Sequence, residues 1–581
     1  MKRLFPYLSA YRKECVLAPL FKMLEAVFEL FVPLVVASII DRGIADQDVS
    51  FILSRGGILF LLALAGMGWA ITAQYFAAKA ATGFASRLRQ ALFSHVQSLS
   101  FADLDRIGTS TLITRATSDI LKTQNAVNLF LRLFLRSPFI VGGAVIMAFL
   151  VDPKTAVVFV VVIPLLFVVV FLFMRLTAPL YQKVQEKLDD LTLATKEALG
   201  GGRVIRAFRR EETEEEAFAK KNEEHYRLQL LAGRISSLTN PVTLVIVNAG
   251  TMAILWIGGW QVNDGVMTQG QVVALVNYMA QILVELVKLA NLIVTLAKGM
   301  ASANRVADVL AIVPSQEKEG ISDTGVAQET GDAKVAFSHV SFRYPDAAED
   351  TLTDIDFCAN AGETIGIIGG TGAGKSTVAQ LIPRFYDATG GRILVDGKNA
   401  LSFPLAALRR KVGVVPQHAV LFQGTIRENL LFGNEEATDE ELWEALSIAQ
   451  AAEFVRQKEG GLDFAVAEGG ANLSGGQRQR LTIARALARK PEILILDDAM
   501  SALDFATEAA LRKSLAALTP QPVTFLVSQR ISSLTGADRI LVLDDGALIA
   551  QGSHEALLAS CSLYREICES QMEEPKGGDL P

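Results

Sequence analysis

The hydrophobic pattern changes character near residue 300. Before that point apolar residues dominate, in six stretches at roughly 16–40, 57–79, 137–151, 155–175, 238–260 and 270–298. A bilayer core of about 30 Å takes about 20 mostly apolar helical residues, so these stretches predict six membrane-crossing helices. Thr155 to Met174 is the clearest, with no charge inside it. The third and fourth stretches are separated only by Asp152-Pro153-Lys154, which predicts a tight turn. Polar residues interrupt the others, which suits helices packed in a bundle. The segments 80–136 and 176–237 keep a heptad-like apolar spacing. Structureless loops of that length are uncommon, so the membrane helices are expected to continue beyond the bilayer.

After about residue 334 the pattern is that of a soluble α/β domain. The stretch from Val313 to about Lys334 is rich in Gln, Glu, Gly, Ser and Asp, without an apolar period, and reads as a linker. The predicted organisation is an all-α transmembrane domain over 1–312, a linker over 313–333, an α/β nucleotide-binding domain over 334–570 and a disordered tail over 571–581.

Charge fixes an expected orientation. The loop 261–269 has no Lys or Arg and the 152–154 turn has one Lys, whereas 80–136 and 176–237 are rich in both. By the positive-inside rule the long segments and both termini are cytoplasmic. A net charge of −7 gives no footprint for nucleic acid. Cys15, Cys358, Cys561 and Cys568 have no metal-ligand spacing and read as reduced thiols. Lys2, Arg3, Arg12 and Lys13 precede the first apolar run without a small-residue cleavage site, so the start is not read as a secretory signal.

Ionisable residues inside spans are costly and usually face a cavity or each other. Lys22, Glu25 and Glu29 share one helical face, and Glu285 and Lys288 are placed to pair locally. Lys22 and Glu25 fit the membrane interface. Glu29 is deeper and is the better candidate to line a cavity, while Glu285 and Lys288 are open to either reading.

The soluble half carries chemistry. The apolar strand Thr364–Ile368 runs into GGTGAGKST at 369–377, with a predicted helix after it. That is the strand–loop–helix context of a phosphate loop, in which backbone N–H groups point at phosphates. Gly369, Gly372 and Gly374 shape the loop, Lys375 neutralises the β/γ-phosphates, and Ser376 ligates Mg²⁺ with Thr377 beside it. The apolar run Ile493–Leu496 ends in Asp497, a carboxylate suited to holding Mg²⁺ through water, followed by Asp498. LSGGQRQR at 473–480 reads as an N-capped helix in which Ser474 precedes Gly475 and Gly476.

This ordered set, with SALD at 501–504, VVPQ at 414–417 and VSFRYP at 340–345, resembles the ABC transporters, in the type with six membrane helices followed by an ATPase domain. The resemblance covers nearly the whole chain. It implies that Tyr344 stacks on adenine and that Gln417 touches Mg²⁺ or the attacking water. It also implies that Leu473, Ser474, Gly475, Gly476 and Gln477, with Asp504, serve ATP held by an opposite domain. Two stretches, 101–119 and 197–218, resemble the family's coupling regions, with Phe208 and Phe218 as apolar anchors on the nucleotide-binding domains.

Two positions depart from the family pattern. Glutamate is expected after Asp497, where this chain has Asp498, and histidine is expected in FLVSQR at 525–530, where it has Gln529. A carboxylate one methylene shorter misplaces its oxygens, and about 1 Å of misplacement can cost on the order of 10²-fold in rate. Gln529 can donate a hydrogen bond but cannot carry an imidazole's proton. The chain is therefore similar to the degenerate-site subunit of a heterodimeric bacterial multidrug-type exporter. That resemblance implies ATP and Mg²⁺ as cofactors, a second half-transporter with complete catalytic residues as partner, a place in the bacterial plasma membrane, and amphiphilic cargo. A weakly active homodimer, an importer with the exporter fold and a membrane-tethered ATP sensor stay open at this stage.

Overall fold

The computed structural model describes residues 4–316, 333–345 and 347–572. Most of the expected linker therefore lies outside the described residues, as does the expected tail beyond Met572. The chain forms two compact units, one of residues 1–97 and 110–312, the other of residues 98–109 and 313–581.

The first unit is all helix. Among the described residues six helices are long and apolar enough to cross a membrane: Arg12–Ile44, Val49–Val96, Thr109–Val151, Pro153–Gly200, Glu211–Asn263 and Gln269–Leu310. Three of these starts are marked by capping side chains. Asp48 accepts from the Phe51 N–H, and Asp152 accepts from the Thr155 N–H with Pro153 opening the helix. Thr268 and Gln271 form a reciprocal capping box. Such caps satisfy donors that have no partner within the helix. The turn at 152–154 is thus tighter than a loop, because Val151 ends one helix and Pro153 begins the next.

Each span packs a stripe of small or branched residues inward. One cluster gathers Ala144, Ala148, Phe159, Leu275, Tyr278 and Ile282. Another gathers Ala77, Ala81, Phe84, Leu88, Ile120 and Val306. The fourth helix leaves Val160, Val161, Val168, Phe171 and Leu172 exposed, an apolar face that only a lipid-like surroundings suits. The helices run far past the apolar windows, as the heptad-like spacing predicts: Val49–Val96 and Pro153–Gly200 have 48 residues each.

The second unit is α/β. Its larger sheet uses β3 (Thr364–Gly369), β6 (Val412–Val415), β9 (Ile493–Asp497), β10 (Val523–Val527), β11 (Arg539–Asp544) and β12 (Ala547–Gly552), in the order β12-β11-β3-β10-β9-β6. The central pairs are parallel. β9 and β10 are buried along their whole length, as parallel strands covered on both faces must be. A smaller antiparallel sheet pairs β1 (Ala333–Phe342), β2 (Leu352–Asn360), β4 (Gly390–Val395) and β5 (Lys398–Asn399). A third, two-stranded sheet pairs β7 (Gly424–Thr425) with β8 (Ala465–Val466).

The short helix Phe101–Ile107 belongs to this second unit. Ser100 and Asp103 form its capping box, and the Ser315 N–H donates to Asp103 at 3.0 Å. Phe101 lies 4.6 Å, ring to ring, from Phe385, and the Tyr386 hydroxyl donates to Asp105. The last helix runs Ser562–Met572. Gln571 and Met572 therefore close a helix instead of opening the expected tail, because Gln571 accepts from the Ile531 N–H and donates to the Gln529 carbonyl.

Candidate nucleotide site

β3 delivers the glycine loop, and the helix Lys375–Leu381 follows it. Gly374 sits at φ 90°, and a Cβ there would stand 2.5 Å from Leu352 and 3.1 Å from the Thr351 carbonyl. Only glycine allows the turn at that position. The loop opens on a cavity of about 330 Å³. It is lined by Gly372, Gly374, Lys375, Ser376 and Thr377 from the loop, Gln417 after β6, Asp497 and Asp498 at the end of β9, and Gln529 after β10. Parallel strands bring these segments to one edge of the sheet, where ligands of open α/β sheets bind.

The polar atoms are tightly arranged. The Ser376 hydroxyl donates to Asp497 at 2.8 Å. The Lys375 ammonium donates to the Gly369 and Gly370 carbonyls at 3.0 and 2.6 Å. Gln417 and Asp498 line the same cavity. Asp498 holds φ 48°, uncommon for a residue with a side chain, and its N–H donates to the Val527 carbonyl at 3.0 Å.

The electrostatics follow from burial. Burial lowers the Lys375 pKa, and the charges of Asp498 and Asp497 oppose that shift. Burial raises Asp497; the Ser376 bond opposes the rise, Asp498 adds to it, and Lys375 opposes it. Burial also raises Asp498, against Arg530, Ser501, Lys375 and Gln417. The pocket thus holds two carboxylates and one ammonium, all partly stripped of water.

A hydroxyl and a carboxylate at hydrogen-bond distance fit a hard cation that completes its shell with phosphate oxygens and water. Among the described residues no three His, Cys, Asp or Glu side chains gather to hold an ion by themselves. The donor set therefore fits Mg²⁺ arriving with a nucleotide, held by Ser376 and Asp497.

Other expected residues lie elsewhere. Tyr344 is half-buried, with its hydroxyl 3.1 Å from that of Thr377, and it packs edge-on against Phe342 and Tyr386. Leu473 is buried in the core, so it offers no side chain to a ligand. Ser474 caps the helix Gly475–Ala488 in a box with Gln477. Ser474 and Gly475 are exposed, and a Cβ on Gly476 would meet the Ala502 carbonyl at 3.2 Å. Asp504 caps the helix Phe505–Ala516 through the Thr507 N–H and hydroxyl. None of these six, nor Tyr344 or Gly369, lines the phosphate cavity.

Phe208 is 75% exposed and Phe218 is 41% exposed, which leaves both apolar rings open to a second chain. Phe101, in the other expected coupling stretch, packs on Phe385 and Tyr386, which carry no motif that would have singled them out. Gln571, which holds the backbone around Gln529, was likewise missed.

Comparison with known proteins agrees with the two units. The family described as "ABC transporter transmembrane region" matches residues 15–286, and that described as "ABC transporter" matches residues 352–501. The uncharacterized ABC transporter ATP-binding protein YfiB of Bacillus subtilis is 35% identical over 571 residues, 98% of each chain. An ATP-dependent lipid A-core flippase of Syntrophus aciditrophicus is 32% identical over 492 residues, 85% of this chain and 81% of that one. A solved bacterial Atm1-family ABC exporter with ATP bound superposes with a TM-score of 0.79 at 24% identity, covering 98% of this chain and 100% of that one. Six apolar helices, a phosphate loop and a signature helix on this fold are the parts of an ATP-driven transporter, and the chain belongs to the ABC transporter family, with the fold of its exporters.

Proposed function

We propose that this chain is one half of a heterodimeric exporter of amphiphilic molecules in a bacterial plasma membrane. Its own ATP site is the slow one, and its signature helix serves the partner's competent site. The observation that carries this reading is the pair Asp498 and Gln529. Both side chains line the phosphate cavity, and neither matches the glutamate and histidine of the family pattern. In this reading Lys375 and the loop N–H groups hold the phosphates, Ser376 and Asp497 hold Mg²⁺, and Gln417 links Asp498 to the water position. The bound cation would offset the negative charge of the transferring phosphoryl group. Asp498 reaches the attacking water poorly, and Gln529 donates to the γ-phosphate without taking up a proton.

A second chain is also favoured by the exposed helix Gly202–Ala207. Val204 and Phe208 leave it as an apolar surface in need of a cover. The Lys/Arg bias supports a cytoplasmic nucleotide-binding unit and cytoplasmic termini.

The test is ATP turnover by the purified chain alone. Nucleotide binding with turnover near background supports the reading, together with co-purification of a second half-transporter under mild detergent. Robust turnover by the chain alone, abolished by Lys375→Ala, would favour a homodimer.

A further inference from the structure

The membrane unit holds a buried charge network that the sequence only half reveals. Arg136 is 6% exposed and Glu285 is 2% exposed. Arg136 donates to Glu285 at 2.6 Å and to Glu29 at 2.7 Å. The Ser137 hydroxyl donates to the second oxygen of Glu285 at 2.8 Å. Lys288 donates to Glu285 at 2.8 Å, and Lys22 pairs with Glu25 at 2.5 Å. Three cations (Lys22, Arg136, Lys288) thus face three anions (Glu25, Glu29, Glu285), and the network is neutral.

Beside it lies a cavity of about 340 Å³ between the first and sixth span helices, lined by Glu29, Asn277, Gln281, Glu285 and Lys288. Val32, Val36 and Val284 supply its apolar wall. Glu285 has both oxygens engaged. Glu29 is bonded through one oxygen only, and its side chain is 39% exposed. Lys288 uses one of its three donors, and its side chain is 42% exposed. The Gln281 carbonyl oxygen has no partner among the described residues. The cavity therefore shows one anion and one cation with spare bonding capacity, two amides and an apolar wall.

We propose that this cavity is a headgroup site for a zwitterionic amphiphile, with the ligand's cation on Glu29 and its anion on Lys288. The apolar wall takes the start of the tail. The argument is one of charge balance. A ligand with net charge leaves that charge uncompensated among apolar helices, which is costly. A zwitterion satisfies both open groups and keeps the network neutral. Naming this ligand as cargo rests on the export reading; the binding itself does not.

The test uses the purified transporter in neutral maltoside micelles and three radiolabelled probes with the same tail: hexadecylphosphocholine, hexadecyltrimethylammonium and hexadecyl phosphate. The phosphocholine is expected to bind at least about tenfold tighter than either the purely cationic or the purely anionic probe. Lys288→Gln should shift the preference to the cation, and Glu29→Gln to the anion. Val284→Trp, which fills the cavity, should weaken all three together. If Glu29→Gln loosens the fold through Arg136, Lys288→Gln decides alone, because that side chain reaches open space. Equal affinity for the three probes, or a selectivity that Lys288→Gln leaves unchanged, overturns the proposal. Selective binding without movement of the probe in vesicles would leave the site standing and count against export.

Discussion

The chain presents two helix N-termini suited to phosphate, and they are built in opposite ways. The phosphate loop opens into a pocket walled by Asp497 and Asp498, with Lys375 buried beneath it. Burial pushes Asp497 and Asp498 up and Lys375 down from their ordinary values. The signature helix Gly475–Ala488 instead begins at the surface, with Ser474 and Gly475 exposed and the cap closed by Gln477. The first site depends on the chemistry of a few side chains held out of water. The second depends on backbone shape. A change of side chain should therefore be graded in the pocket and severe at the signature.

The largest effect is expected at Gly476. In the proposed reading Gly476→Asp places a carboxylate against the phosphate that the signature helix serves, and steady-state ATP hydrolysis by the assembled complex should fall on the order of 10²-fold. Part of any loss is crowding, because a Cβ there stands 3.2 Å from the Ala502 carbonyl. Gly476→Ala measures that part, and a loss equal to that of Gly476→Asp would break the electrostatic half of the comparison.

Next comes Lys375. Lys375→Ala removes the pocket's ammonium and leaves the buried Asp497 and half-buried Asp498 with less opposing charge. Labelling of this chain by a photoreactive ATP analogue should weaken at least about tenfold, as loss of a charge-assisted contact implies. Unchanged labelling would remove the pocket from the account. A smaller gain should follow from Asp498→Glu with Gln529→His, in a complex whose partner lacks its catalytic glutamate. Turnover above that background should rise about tenfold, less than the roughly 10²-fold low end of what a positioned base contributes, because Asp498 already supplies a carboxylate. No gain would place the defect elsewhere.

The smallest effect concerns stability. A carboxylate whose pKa is raised in the folded state binds protons more readily folded than unfolded, so stability falls as pH rises through that range. Asp497→Asn should raise the melting temperature of the nucleotide-free protein slightly at neutral pH. The difference should vanish below the ordinary carboxylate range. A lower melting temperature at neutral pH would show that hydrogen bonding by Asp497 outweighs its desolvation.

The fold was largely legible because each span and strand is a local pattern. Thr155 to Met174 announces a span by composition alone, and Asp152-Pro153 announces a helix start by its capping chemistry. The phosphate cavity was legible for the same reason, since its contributors sit at the ends of recognisable strands. What escaped depends on distant pairing. Arg136 read as part of a basic cytoplasmic segment, because its partners Glu29 and Glu285 lie 107 and 149 residues away. Phe101 found Phe385, 284 residues on in the sequence, only through folding. Gln571 looked like the start of a polar tail until its bonds to Gln529 and Ile531 placed it.

The central claim is a division of labour: this chain's own pocket is slow, and its signature helix serves the fast site. Steady-state ATP hydrolysis of two mutant complexes, Gly476→Asp and Asp498→Asn, measured side by side, tests it most directly. The account predicts near-complete loss for Gly476→Asp and retention of much of the activity for Asp498→Asn. Equal loss in both would contradict it, because Asp498 would then sit in a site that carries turnover.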